Sequence, residues 1–208
     1  FAICSSRFLL GFGYTFSFPS IFYVNIFYFI FLLPLLTMRT FSEERKNGTE
    51  TLLLSSPLNV TQIVMAKFLA TATILLMMLV VSLFYPILTS IYGRVIWSSL
   101  ICTYIGFFLF GLVCIALGIF ISSLTENQVV AAVVGMIVLL ALALIDVVGR
   151  YAESVAVVPT VLNALSFYTR YYDFTAGLFD PASVLFYVST AVIFNFFTVR
   201  VFEKRRWS

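Results

Sequence analysis

The chain has 208 residues, of which 62% are hydrophobic and 10% are charged, and its net charge is +3. Soluble domains carry roughly a quarter of charged residues, so this composition excludes an ordinary soluble domain and indicates an integral membrane protein. The apolar runs are long and continuous, which favours membrane-spanning α-helices over the alternating strands of a β-barrel.

The first two predicted spans lie on either side of Pro19. Residues 1–16 are expected to be the end of a first span that begins before Phe1, and residues 20–38 form the second span. Arg7 is the only charge of the first span. It is a candidate intramembrane polar site that would line a substrate path or face a carboxylate, because charges inside membranes usually serve a function.

A concentrated group of charges follows the second span. Six of the 21 charged residues (12 basic and 9 acidic) are Arg39, Glu43, Glu44, Arg45, Lys46 and Glu50. One interpretation is a solvated loop whose positive charge holds the topology. However, Thr40 and Glu43 have the spacing of a capping box, and Pro57 ends the segment. The pattern therefore favours a short amphipathic helix in residues 39–57 that lies on the cytoplasmic face and presents its charges to a partner in water.

Three more spans are predicted after this segment, over residues 60–92, 98–121 and 126–148. Asn59 with Gln62, and Thr125 with Gln128, have the spacing of capping boxes at two helix starts. The span over 60–92 is longer than the hydrocarbon core requires, so it must tilt, bend or protrude, and Pro86 is the expected bend. Lys67 is its only charge, and we expect its long stem to carry the ammonium to the interface.

The region before the last span differs from the rest. Residues 149–179 are too polar to span freely and too apolar for a plain linker, so we expect short interfacial or re-entrant helices on the extracytoplasmic side. Asp180 and Pro181 then supply an N-cap and a first-turn proline for a sixth span over residues 181–201.

The distribution of basic residues predicts the orientation. One side of the membrane would hold Arg39, Arg45, Lys46, Lys67, Arg200, Lys204, Arg205 and Arg206. The other side and the first span would hold Arg7, Arg94, Arg150 and Arg170. Because cytoplasmic loops are enriched in Lys and Arg, the segment 39–57 and the C-terminus are expected to be cytoplasmic.

The sequence offers little for chemistry of its own. It has no histidine, which argues against histidine-based catalysis and most zinc and haem sites, and it has no P-loop motif for ATP. There is no basic tract with interleaved aromatic residues, so no nucleic-acid partner is expected. We therefore expect no catalytic, cofactor or metal site in this chain, and no enzyme activity by itself.

Small residues recur at a spacing of four, as in Ala66/Ala70, Cys114/Gly118 and Ala131/Gly135. Such ridges let helices approach closely. They would serve packing within one bundle or a seam between two subunits.

The charged segment and its surroundings resemble a known family. The stretch "PLLTMRTFSEERKNGTETLLLSSPLNVTQIVMAKFLA" is similar to the region after the second span of ABC-2-type transporter permeases, in the gliding-motility and copper-enzyme-maturation branch. The matching features include the acidic pair with Arg45, the Gly48-Thr49 pair, the Ser56-Pro57 pair and Lys67. The stretches "GIFISSLTENQVVAAVVG", "GLFD" and "FFTVRVFEKRRW" are also similar, so the resemblance covers nearly the whole chain.

This resemblance implies an all-α, six-helix, type V exporter-like permease bundle in the cytoplasmic membrane, multi-pass and of bacterial type. Two permease subunits, identical or different, would work with two separate ATP-binding subunits that carry ATP and Mg²⁺. The segment 39–57 would be the coupling element, with contacts through Arg39, Glu43, Glu44, Arg45, Lys46, Gly48, Thr49 and Glu50.

These features suggest three functions. The first is an ATP-driven exporter of an unidentified substrate. The second is a subunit that transmits mechanical work to an extracytoplasmic partner protein and moves no solute. The third, a membrane enzyme or free-standing channel, has little support because histidine is absent and carboxylates are sparse.

Overall fold

The computed structural model describes residues 18–49, 58–92, 97–151 and 167–206, and the regular elements in these ranges are α-helices. In chain order they are α1 (Phe18–Thr37), α2 (Arg39–Lys46), α3 (Val60–Ser82), α4 (Phe84–Tyr92), α5 (Trp97–Leu124), α6 (Gln128–Tyr151), α7 (Phe167–Thr175) and α8 (Pro181–Arg206). The helical fold class is confirmed. The predictions for the first span with Arg7, and for residues 50–57 with Glu50, fall outside the described residues.

Three helical stretches in the described part of the chain are long and apolar enough to cross a membrane: Val60–Leu88, Trp97–Leu124 and Pro181–Arg206. Gln128–Leu144 is a shorter apolar helix. A span needs about 20 apolar residues, so these helices agree with a multi-pass membrane protein.

Helix α5 is the centre of the bundle. In the most apolar 18-residue stretch of α5, 67% of the residues are buried inside the structure. The corresponding share is 33% in Val60–Leu88 and in Pro181–Arg206. Gly118 of α5 packs against α1 so closely that an added Cβ would lie 2.1 Å from Thr37 Oγ1. Gly135 of α6 also faces α1, at Pro34. These two small residues therefore serve packing within the bundle, whereas Ala66 and Ala70 are exposed.

The helix starts agree with the sequence at some positions and differ at others. The Asp180 carboxylate accepts hydrogen bonds from the backbone N–H groups of Ala182 and Ser183, both at 3.1 Å, so the predicted N-cap of α8 is confirmed. The prediction for Thr125 is wrong, because Asn127 precedes α6 and its Oδ1 accepts from the Val129 N–H at 3.0 Å. Thr40 is not a cap either, since α2 already begins at Arg39.

The helix interruption near Pro86 lies slightly earlier than Pro86 itself. Helix α3 ends at Ser82, and α4 begins at Phe84 after a one-residue turn. The Ser82 hydroxyl lies 2.7 Å from the Leu79 carbonyl oxygen and 3.1 Å from the Tyr104 hydroxyl of α5. Pro86 lies in the first turn of α4, where its missing N–H costs no helical hydrogen bond.

Helix α7 packs along α5 from the beginning of α5 toward its middle. At one end of α7, the Ser99 hydroxyl donates to the Thr175 carbonyl at 3.2 Å. At the other end, the Phe167 carbonyl accepts from the Tyr187 hydroxyl at 2.5 Å, and the Phe167 side chain lines a small cavity with Val113 of α5. Fourteen residues of α5, about 21 Å along its axis, separate Ser99 from Val113.

Candidate partner-docking site

Helix α2 lies at the opposite end of α5 from Ser99, close to the start of α3 and the end of α8. Its Phe41 is 3% exposed. The Phe41 ring lies 4.5 Å from the ring of Phe202 in α8, and the Lys67 ammonium of α3 lies 4.2 Å from its centre. One face of α2 is therefore anchored in the bundle through an aromatic side chain.

A serine from another helix caps the start of α2. The Ser122 hydroxyl oxygen accepts from the backbone N–H groups of Phe41 and Ser42, at 3.1 and 3.2 Å, and its own proton is donated to the Met38 carbonyl at 3.0 Å. The first N–H groups of a helix have no partner within the helix, and Ser122 satisfies two of them. The hydroxyl of Ser42 donates to the same Met38 carbonyl. The cap comes from the body of the bundle rather than from the segment before α2.

Gly48 ends α2 in a Schellman motif. Its φ of +69° is in the left-handed region, which glycine adopts without a steric cost. The Gly48 N–H donates to the Arg45 carbonyl at 3.1 Å, and the Thr49 N–H donates to the Glu44 carbonyl at 2.9 Å. Gly48 thus allows the left-handed backbone turn that ends α2.

Glu44 forms an ion pair with Lys67. The Lys67 Nζ lies 2.5 Å from Glu44 Oε1, and the two side chains are only 19% and 31% exposed. Lys67 also donates to the Thr40 carbonyl. The sequence predicted only that Lys67 extends to the interface, whereas the structure places its ammonium on α2, between a carboxylate, a carbonyl and the Phe41 ring.

Arg45 forms a second ion pair on another side of α2. Its guanidinium lies 2.7 Å from Glu126 Oε1, and it donates to the Leu124 carbonyl at 3.2 Å. Both partners belong to the junction between α5 and α6. Glu126 is 68% exposed, so water and salt screen this pair more than they screen the pair of Glu44 and Lys67.

Three other charged side chains of α2 remain exposed: Arg39, Glu43 and Lys46. Their spacing of four and three residues places them on one face of the helix. Gly48 and Thr49 are exposed beyond the end of α2. The predicted contact set therefore divides into an outward group, Arg39, Glu43 and Lys46, and an inward pair, Glu44 and Arg45.

Most of the chain matches a known protein family. A family model described as "ABC-2 family transporter protein" matches residues 6–199. The chain belongs to the ABC-2 transporter family. No curated protein and no solved structure is significantly similar to it.

Membership makes the chain the membrane permease of an ABC transporter and implies an ABC ATPase subunit as its partner. Such permeases are normally non-enzymatic subunits. In the described part of this ABC-2 permease, no three carboxylate or cysteine side chains converge as metal ligands would.

Sequence reasoning missed two residues of this site, Ser122 and Glu126. Both belong to the "SSLTENQ" stretch, for which the sequence predicted only the start of a helix. The available signal was topological, because this stretch is expected on the same side of the membrane as residues 39–57. The partner of each charge could not be read from the sequence, since Glu126 and Arg45 are distant in the chain.

Proposed function

We propose that the chain is the permease subunit of an ATP-driven exporter in a bacterial cytoplasmic membrane, and that a separate ATPase subunit docks on α2. The docking face consists of Arg39, Glu43 and Lys46. ATP and Mg²⁺ belong to the ATPase subunit, with two ATPase copies serving two permease subunits. The main observation in support is that α2 exposes charges of both signs on one face, while its other face packs against the bundle.

A face of mixed charge fits a polar protein surface better than it fits lipid. Charged residues cost several kcal/mol inside a bilayer, so Arg39, Glu43 and Lys46 are expected to lie in water. The C-terminal basic residues Lys204 to Arg206 are in the last turn of α8, on the same end of the bundle as α2. This clustering agrees with a cytoplasmic location of that end.

The face of α2 that contacts the bundle supports a role in transmitting movement from the ATPase to the spans. Phe41 is buried, Ser122 caps the helix start, and Glu44 and Arg45 pair with residues of two other elements. A displacement imposed on the outward face would therefore reach α3 and the α5–α6 junction. In this mechanism, closure of the ATPase pair on ATP moves α2, and the spans attached to it rearrange to open a path outward.

Reversal of a docking-face charge tests the proposal. Glu43→Arg should weaken co-purification of the ATPase subunit by more than about tenfold, because a like charge facing a complementary surface is strongly unfavourable. The matched control is Glu203→Arg, a carboxylate at the same end of the bundle that pairs with Arg200 of its own helix. Full co-purification with Glu43→Arg and Lys46→Glu would show that this face does not bind the ATPase.

A further inference from the structure

We infer that Ser122, Glu126 and Lys67 are positioning residues that hold α2 in one orientation and make it move together with α3 and the α5–α6 junction. The inference rests on the proposed function, because the force on α2 would come from the ATPase. None of the three residues belongs to the outward face. Each one contacts α2 through a different element of the bundle.

The three contacts act at different places on a short helix. Ser122 binds the start of α2, where two N–H groups and the Met38 carbonyl meet its hydroxyl. Glu44 and Arg45 are consecutive, so their side chains leave the helix about 100° apart and are held from different sides. Restraints at one end and on two sides oppose both sliding and rotation of α2.

The two ion pairs have their charges in opposite order, which adds to the restraint on α2. The acidic residue Glu44 pairs with a base of α3, whereas the basic residue Arg45 pairs with an acid at the α5–α6 junction. If α2 turned about its axis, each side chain would leave its partner, and Lys67 would remain in a span without a carboxylate. An unpaired charge that is shielded from water is costly, which opposes the rotated state.

A purely structural role is the alternative, and the chain offers close controls against it. Ser123 is the neighbour of Ser122, is equally buried, and donates to the Phe120 carbonyl of its own helix. Glu203 is a carboxylate that pairs within α8. Ser123→Ala and Glu203→Gln thus repeat the chemistry of Ser122→Ala and Glu126→Gln, at sites where the hydrogen bond or ion pair stays within one helix.

The first experiment measures the permease alone. Spin labels at Asn47, after α2, and at Val129, at the start of α6, report the distance between α2 and the junction in a background whose three cysteines are replaced by alanine. Ser122→Ala should raise the population of a second, displaced distance by about fivefold, the effect of losing one net hydrogen bond. Glu126→Gln should raise this population less, because water screens the pair of Arg45 and Glu126. Ser123→Ala, Glu203→Gln and the conservative Ser122→Thr should keep a single distance.

The second experiment adds the ATPase subunit with ATP and Mg²⁺. In the wild type the distance should stay unchanged, because α2 and the junction move together. In Ser122→Ala and in Lys67→Met the distance should change on addition of ATP while the ATPase still co-purifies. A purely structural role would lower protein abundance without creating an ATP-dependent distance.

The outcomes separate the two proposals. A single narrow distance in Ser122→Ala, Glu126→Gln and Lys67→Met, with or without ATP, would overturn the positioning role even if the ATPase binds. Loss of the ATPase contact through the outward face would instead be seen in the Glu43→Arg experiment. A displaced population in the permease alone supports the positioning role independently of ATPase binding. Recovery of the single distance by exchanging the charges, with Glu44→Lys and Lys67→Glu together, would also support it.

Discussion

The ammonium of Lys67 lies 2.5 Å from the carboxylate of Glu44, and this contact joins α3, which is long and apolar enough to cross a membrane, to the charged helix α2. Lys67 is the only charge of α3, and its side chain is 19% exposed. The position of this charge within a span is tolerated because Glu44, the Thr40 carbonyl and the Phe41 ring surround it. Both members of this ion pair belong to the charged segment and the start of α3, and they lie 23 residues apart in the chain.

The first prediction concerns the interaction energy between Lys67 and Glu44. Lys67→Met and Glu44→Gln should each destabilise the permease by about 1–3 kcal/mol, because each leaves a shielded charged partner without its counter-charge. The double variant should be less destabilised than the sum of the two single variants. Thermal unfolding of the purified protein in detergent gives the double-mutant cycle.

Additive effects of Lys67→Met and Glu44→Gln would mean that the two residues do not interact in the folded protein. Arg200→Met with Glu203→Gln serves as the control cycle. Its pair is 63% and 40% exposed, so its coupling should be less than about 1 kcal/mol.

The second prediction concerns the end of α2. Gly48→Ala should destabilise the local structure by about 1–2 kcal/mol, the cost of a left-handed conformation for an L-residue. An added Cβ meets nothing within 4 Å, so the effect comes from the backbone and not from a clash. Limited proteolysis between α2 and α3 measures the loosening.

Gly48→Asn supplies the matched control, because asparagine tolerates the left-handed region better than alanine does. Its proteolysis rate should lie between those of the wild type and Gly48→Ala. Equal rates for all three chains would refute the Schellman motif as the reason for glycine at this position.

The third prediction concerns the contact between α5 and α1. Gly118→Ala should lower the amount of folded permease in the membrane strongly, because the new methyl group would lie 2.1 Å from Thr37 Oγ1 and 2.8 Å from Thr37 Cβ. Gly135→Ala is the milder counterpart, since its nearest neighbour, Pro34 Cβ, lies at 3.1 Å. Membrane abundance and thermal stability of the two variants should differ in that order, and a reversed order would contradict the packing.

Local chemistry explains how far the sequence predicted this structure. Asp180 and Pro181 predicted the start of α8 correctly, because a cap depends only on residues within one turn. At Thr125 the cap is the nearby Asn127, so only the exact position was wrong. The Thr40 prediction failed for a different reason. Met38, which precedes α2, has helical backbone dihedrals. The side chain that caps α2 is Ser122, about 80 positions away in the chain. Spacing within a segment does not contain that information.

The same limit applies to the candidate site. Composition and charge placement marked residues 39–50 as the place where the chain meets water. They could not divide these charges into an outward group and an inward pair, since the division depends on Lys67 and Glu126, which reach α2 only through folding. Glu44 and Arg45 form ion pairs within the bundle, and the charge pattern alone could not show this.

The last prediction concerns pH at the opposite end of the bundle. Hydrogen bonds from the Ser183 hydroxyl and from the backbone N–H groups of Ala182 and Ser183, with the positive charge of Arg170, hold the pKa of Asp180 below its usual range. A carboxyl group whose pKa is lowered by folding stabilises the folded state above its unfolded pKa, and this contribution is lost as the pH falls through the folded value. Asp180→Asn keeps a side-chain oxygen for the cap but removes the charge.

At neutral pH the wild type should therefore unfold at a higher temperature than Asp180→Asn. The difference should shrink below about pH 4, the usual range for an aspartic acid, and vanish once Asp180 is protonated in both states. Comparing the two chains at each pH removes the contribution of the other carboxylates. A constant difference between wild type and Asp180→Asn from pH 7 to pH 3 would mean that the charge of Asp180 does not stabilise the start of α8.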